Sequence, residues 1–223
     1  MIIFSQPPRS RRLGGNLFKI PFDIKKGEKL FIAVSGGIDS MVVLDFFKNA
    51  KRCDVTVLHF DHGTKFGAEA RIFVENFCKN AGIPCITGQI SADQDFAGKS
   101  KEDVWRKARY AFFESVTTES DKILLGHHLN DAIESWIFSS LHGNPMLIPL
   151  TRGRYYRPFI LSEKEKIISW AERKGLIWCD DPSNSSDNYM RNYIRNNLMP
   201  HALHVNPGLP KVIKKKYLAQ IKP

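Results

Sequence analysis

The chain has 223 residues, with 33 Lys and Arg against 23 Asp and Glu and a formal charge of +10. A hydrophobic share of 43% and a charged share of 25% exclude disorder as the dominant state, and the length allows one sizeable core with at most a small appendage. No stretch approaches about eighteen consecutive apolar residues and the N-terminus lacks a secretory-type apolar run, so a cytoplasmic protein with no membrane partner is expected.

Leu30–Ser35 is a short apolar β-type run that ends at Gly36-Gly37, and Ile38–Asn49 follows with helical spacing. Asp54–Phe60 reads as a second strand, Gly67–Ala81 as an amphipathic helix, and Cys85–Ile90 as a third strand. A long charged and aromatic helix over Lys99–Val116, a strand at Lys122–Gly126 and a helix over Asn130–Leu141 come next. Strands alternating with helices argue for an α/β fold, a parallel sheet with helices on both faces, which binds ligands beyond the carboxyl ends of its strands. Beyond Pro158 the pattern changes to a capped helix at Ser162–Lys174, a polar loop at Trp178–Asn188 and a short helix at Tyr189–Met199. The expected organisation is a basic arm at 1–29, a nucleotide-binding domain at 30–160 and a helical basic segment at 161–223.

The charge is uneven. Seven Lys and Arg with no acid lie between Asn188 and Pro223, and four with no acid lie between Met1 and Phe22. The middle is near neutral, and a neutral body with two basic ends is the footprint of a polyanion partner. Cys53, Cys78, Cys85 and Cys179 contain no Cys-x-x-Cys pair, which disfavours a zinc knuckle, a disulfide framework or an iron–sulfur cluster.

Ser35-Gly36-Gly37-Ile38-Asp39-Ser40 sits where the first strand passes into the first helix. Two glycines allow a sharp turn and close approach of backbone to ligand, while the helix-start N–H groups and the two hydroxyls can hold pyrophosphate oxygens. Asp39 would repel a phosphate unless Mg²⁺ lay between them, so it suggests a metal-bridged triphosphate, with Asp39 as metal ligand. Gly98-Lys99-Ser100 does not complete a Walker A loop, because Asp93 stands where that loop needs glycine.

This loop resembles the signature of the PP-loop ATP pyrophosphatases, which cleave ATP between the α and β phosphates and adenylate a substrate oxygen. Within them the chain is similar to the tRNA(Ile)-lysidine synthetases from Leu30 to about Pro207. The resemblance continues through His59-Phe60-Asp61-His62-Gly63, then Glu102, Arg106, Arg109 and Tyr110, then Gly126-His127-His128 with Asp131 and Glu134. Arg157-Pro158-Phe159, Trp178 with Asp180-Asp181-Pro182-Ser183-Asn184, and Arg191-Asn192 with Arg195 complete it. Where the family usually shows two successive acids and a glutamine, this chain has Asn130 and Ala132.

The resemblance implies an adenine nucleotide alpha hydrolase-like fold and a ligase acting on the wobble cytidine of an isoleucine tRNA with a CAU anticodon. C2 of that base is a poor electrophile. Adenylation of its oxygen by ATP makes AMP the leaving group for the amine of free L-lysine, and pyrophosphate is released. By the same resemblance, Ser35, Gly36, Gly37, Ile38, Asp39, Ser40 and His62 would bind ATP with Mg²⁺, and Asp39, His127, Asp131 and Glu134 would be catalytic. Asp131 and Glu134, three apart, share one helix face and could hold Mg²⁺, the lysine ammonium or both. Arg106 and Arg109 at i, i+3 could reach one ligand with Glu102 orienting Arg106, and Arg191 and Arg195 would meet phosphates or tRNA. Relatives commonly continue into further C-terminal domains, so a minimal form is expected, with Arg9, Arg11, Arg12 and the lysines of 211–216 adding phosphate contacts. A different tRNA-adenylating enzyme, such as a thiolation enzyme, and a catalytically inactive tRNA-binding module are the alternatives.

Overall fold

The computed structural model describes residues 18–94, 96, 98, 100–182 and 190–221. Strands β1 (Lys29–Ala33), β2 (Asp54–Asp61), β3 (Cys85–Gln89), β4 (Ile123–Leu124), β5 (Thr151–Arg152) and β6 (Tyr155–Tyr156) form one sheet in the order β3-β2-β1-β4-β6-β5. Every neighbouring pair is parallel except β5 with β6, a hairpin turned at Gly153.

Both faces of the sheet are covered, which is why its central strands read as continuous apolar runs. Leu30, Ile32, Val55 and Val57 pack on one side, against α1 (Ile38–Asp45), α2 (Lys65–Ala81) and α5 (Lys164–Lys174). Phe31, Leu58 and Ile123 face the other side, where Phe113 of α3 (Lys101–Val116) closes the layer. The single helix expected over Ile38–Asn49 changes pitch: after Asp45 it widens into a π turn over Phe46–Ala50, which lets both Phe46 and Phe47 enter the core.

Two polar ties join α1 to α5. Trp170 Nε1 donates to Asp45 Oδ2 at 2.7 Å, and Lys164 Nζ donates to Asp39 Oδ1 at 2.5 Å. Asn130 Oδ1 accepts the Lys164 backbone N–H at 3.0 Å, so this side chain has a structural task at the start of α5.

A second apolar cluster joins α4 (Leu129–Leu141) to α7 (Met199–Val205) and α8 (Leu209–Ile221). The lysine-rich segment is therefore an amphipathic helix that buries Leu209, Ile213 and Tyr217 and leaves Lys211, Lys215 and Lys216 exposed. Among the described residues, no helix is long and apolar enough to cross a membrane.

Tyr217 tests this cluster. Its ring is fully buried and its hydroxyl donates to the Ile148 carbonyl at 2.7 Å. Tyr217→Ala is expected to cost about 3–5 kcal/mol, the range for emptying a large aromatic site, and Tyr217→Phe about 1 kcal/mol, both measured by urea unfolding.

Candidate functional site

The order of strands fixes where a ligand can sit. The chain leaves β1 toward β2 and β3 and then crosses back to place β4 on the far side of β1, so the sheet has a switch point between β1 and β4. Ser35–Ser40 follows β1, and Gly126-His127-His128 follows β4, so the two phosphate-side and base-side candidates meet at that crevice.

Gly36 has φ +92°, a conformation that side chains disfavour, and Gly37 caps α1 with no side chain of its own. The first turn of α1 thus keeps open N–H groups. The two serines brace the loop: Ser40 Oγ donates to the Gly37 carbonyl at 2.8 Å and accepts from Ser35 N–H at 3.2 Å, with the Ser35 hydroxyl 3.3 Å away. Cys179 N–H donates to the Gly36 carbonyl at 2.9 Å and pins the loop from behind. On the other side Gly126 is packed so closely that a Cβ would lie 3.2 Å from Ser40 N and 3.3 Å from the Asp39 carbonyl carbon.

A cavity of about 600 Å³ opens over this crevice. Ser35, Asp39 and Ser40 form its phosphate-like end and Phe60, His62 and Trp105 an aromatic wall, with Glu102, Arg109 and His127 among the other polar lining residues. The His62 and Trp105 rings lie 5.4 Å apart at 33°. His62 Nδ1, His127 Nδ1 and Trp105 Nε1 are buried without hydrogen-bond partners, as expected for a cavity built around a polar guest.

The candidates beyond the loop are joined through His128. Its Nε2 lies 3.5 Å from Asp39 Oδ1 and 3.5 Å from Asp131 Oδ2, and its backbone N–H donates to Asp131 Oδ2 at 2.9 Å, closing the start of α4. Asp131 and Glu134 do share a face, but a guanidinium already sits on it. Arg195, in the π turn Ile194–Leu198 that follows α6 (Met190–Tyr193), donates from Nη2 to Glu134 Oε2 at 2.7 Å and to Asp131 Oδ1 at 3.4 Å, with Nε adding 3.0 Å to Glu134. Arg191 stands further off, 3.9 Å from Glu134 Oε1 and 54% exposed.

Burial sets the protonation of these groups. It pushes Glu134, 2% exposed, above the usual carboxylate range, with Arg195 pulling back. Burial alone would raise Asp131 as well, but His128, His127, the His128 N–H and Arg195 outweigh it and hold this acid low. Burial pushes both His62 and His127 down to about 4, helped by the Arg109 charge, so both rings are neutral near pH 7.

Arg106 and Arg109 part company across α3. Arg109 lines the cavity, whereas Arg106 points to the opposite side and pairs with Asp103 at 3.3 Å. About 60° apart around the helix, the two guanidinium groups line different spaces on either side of α3. Glu102 likewise lines the cavity, and Arg106 takes Asp103 as its partner. Lys164 and Trp105 were not singled out from sequence; Lys164 comes from an element 125 positions away from Asp39, and Trp105 looks like an ordinary helix aromatic. Of the basic ends, Lys214 pairs with Glu163, while Arg9, Arg11 and Arg12 lie outside the described residues, as do Lys99, Ser183 and Asn184.

A family model described as a PP-loop domain matches residues 11–202. Among curated proteins, the tRNA(Ile)-lysidine synthase of Thermotoga sp. (strain RQ2) is 32% identical over 202 residues, covering 85% of this chain and 49% of that protein. That of Persephonella marina is 33% identical over 199 residues, covering 83% and 44%, and that of Bacillus subtilis 31% over 207 residues, covering 85% and 44%. The chain spans about half the length of the curated relatives it matches. Among solved structures, the U34-tRNA thiolase NcsA from Methanococcus maripaludis with its 4Fe-4S cluster has a TM-score of 0.71 at 15% identity, covering 88% of this chain and 73% of that one, a likeness of fold.

The two depressed histidines predict an acid-side instability. Each binds its proton in the unfolded chain near 6.5 but in the folded chain only near 4, so the unfolded state holds more protons in that window and stability falls as pH drops from 6.5 to 4. Melting temperatures measured across this range should decline on acidification, and His62→Gln, which removes one titrating ring, should make the decline shallower.

Proposed function

The chain belongs to the PP-loop family, and from that membership we propose that it is a cytoplasmic ATP-dependent ligase that joins free L-lysine to C2 of the wobble cytidine of an isoleucine tRNA with a CAU anticodon. The observation that carries this reading is the His128 bridge. It links Asp39 of the phosphate loop to Asp131 of the carboxylate pair at 3.5 Å on each side, which supports an activating end and an acceptor end lying next to one another.

ATP suits the cavity in two parts. The open N–H groups of α1 with the Ser35 and Ser40 hydroxyls can receive phosphate oxygens, and the wall of Phe60, His62 and Trp105 can take a planar base. Asp39 lines the cavity while its Oδ1 accepts from Lys164. Among the described residues no group of three or more His, Cys, Asp or Glu forms a protein cage for a metal. That arrangement fits an ion such as Mg²⁺ that is held by one carboxylate and by substrate phosphates. Bound there, Mg²⁺ would neutralise charge on the triphosphate.

The tRNA base must leave its stack to enter the site, and the neutral His127 with Arg109 lines the part of the cavity nearest β4. Glu134 Oε2 is committed to Arg195, while the exposed Arg191 lies 3.9 Å from Oε1. The lysine ammonium can take that position by moving Arg191 aside, with Asp131 as second acceptor. The carboxylates would hold the amine as its ammonium, and Glu134, whose proton affinity burial raises, could take the proton that the amine must lose before it attacks.

The thiolation reading receives less support. No cysteine lines the cavity, and Cys179, beside the loop, acts through its backbone while burial pushes its thiol up to about 11.

Incubation with this tRNA, ATP and lysine should raise the mass of one cytidine and release AMP and pyrophosphate. Asp39→Ala should reduce that turnover at least about a hundredfold, while unfolding stays cooperative and shifts by no more than the roughly 1 kcal/mol of a partly exposed ion pair with Lys164. Glu134→Gln should raise the KM for lysine more than the KM for ATP. Unchanged nucleoside masses with lysine, together with modification by another nucleophile, would overturn the reading.

A further inference from the structure

Helix α3 is a partition. Glu102, Trp105, Arg109 and Phe113, spaced three and four apart, line the cavity over the phosphate loop. The next row around the helix, Arg106, Lys107 and Tyr110, lines a second cleft of about 600 Å³, closed on its far side by the β5–β6 hairpin with Arg152, Arg154 and Tyr155. Four cations face two acids there, Glu114 and Glu119.

The cleft has a built floor and free charges. Tyr110 and Tyr155 meet edge to face with centroids 4.6 Å apart at 70°, and Tyr155 Oη donates to Glu114 at 3.3 Å, which uses part of the negative charge. Arg154 is fixed to Thr117 through its carbonyl at 3.1 Å and its hydroxyl at 3.2 Å. Lys107 and Arg152 are exposed and make no ion pair with a described residue, and the Arg106–Asp103 pair is more than half exposed on both sides, hence weak. Tyr110 also touches the first cavity's lining, because the Arg109 guanidinium lies 5.8 Å from its ring centre.

We infer that this cleft holds the sugar-phosphate backbone of the RNA strand next to the modified base, with Arg106, Lys107 and Arg152 on phosphates and Tyr110 beneath. The inference rests on the proposed tRNA-modifying activity. A cationic groove with aromatic rings is how single-stranded nucleic acid is held without sequence readout. Continuity selects the occupant: a base inserted on one side of α3 belongs to a strand that must continue past that helix, and the cleft is what lies on its other side. The contact is one of position, so base identity would be read elsewhere.

The test is binding of an anticodon stem-loop RNA at several salt concentrations. Three proteins are compared: wild type, Arg106→Ala/Lys107→Ala/Arg152→Ala, and Lys25→Ala/Lys26→Ala/Lys51→Ala, which removes equal charge at the amino-terminal edge of the sheet. The cleft variant should lose on the order of tenfold or more in affinity, and the slope of log affinity against log salt should fall by about 2, as for three lost single-strand phosphate contacts. Its ATP affinity should match wild type, which also reports an intact fold. Equal losses in both variants, or no loss in the cleft variant, would overturn the inference while leaving the activity intact. If wild type binds ATP but no RNA, the functional reading fails and the cleft assignment with it.

Discussion

The contact between Gly126 and the start of α1 is made by backbone alone, and the site is arranged around it. A side chain at 126 would press on Ser40 N and the Asp39 carbonyl carbon, so the end of β4 and the phosphate loop would have to move apart by a few tenths of an ångström. Hydrogen bonding of β1 to β4 brings these two segments side by side, and the lack of a Cβ lets them touch. From that junction the rest follows in register. His127 enters the cavity, His128 turns to Asp39, and α4 starts with Asp131 folded back on the His128 N–H.

Charge burial shapes what the site can do. Glu134 is held almost out of water beside Arg195, which is itself 41% exposed, so removal of the arginine would strand a buried charge. Such a pair contributes little net stability, but it fixes the direction of the Asp131 and Glu134 carboxylate groups. The neutral histidines serve a different need. A protonated ring at His62 or His127 would add cations beside Arg109, and burial prevents this.

The parallel sheet, the loop after β1 and the acidic face of α4 were legible because each is written in local spacing: an apolar run, a Gly-Gly turn, two acids three apart. β5 and β6 were not, since two residues each carry no period and the hairpin exists only through pairing with β4. The stripe Leu209, Ile213, Tyr217 of α8 is present at helical spacing but is masked by its lysines. Lys164 at Asp39 and Arg195 at Glu134 arise from packing across 125 and 61 positions, which periodicity cannot reach. For Arg106 and Arg109, spacing on one helix does not tell which of the two spaces beside it each residue lines.

Helix α4 carries two jobs on opposite faces. Asp131 and Glu134 meet Arg195, while Leu129, Ala132 and Ile133 pack in the cluster that includes Ile213 and Tyr217 of α8. Rotation of α4 that would slacken one face must also shear the other. A substitution that displaces α4 is therefore felt on both of its faces, at the carboxylates and at the seat of α8 alike.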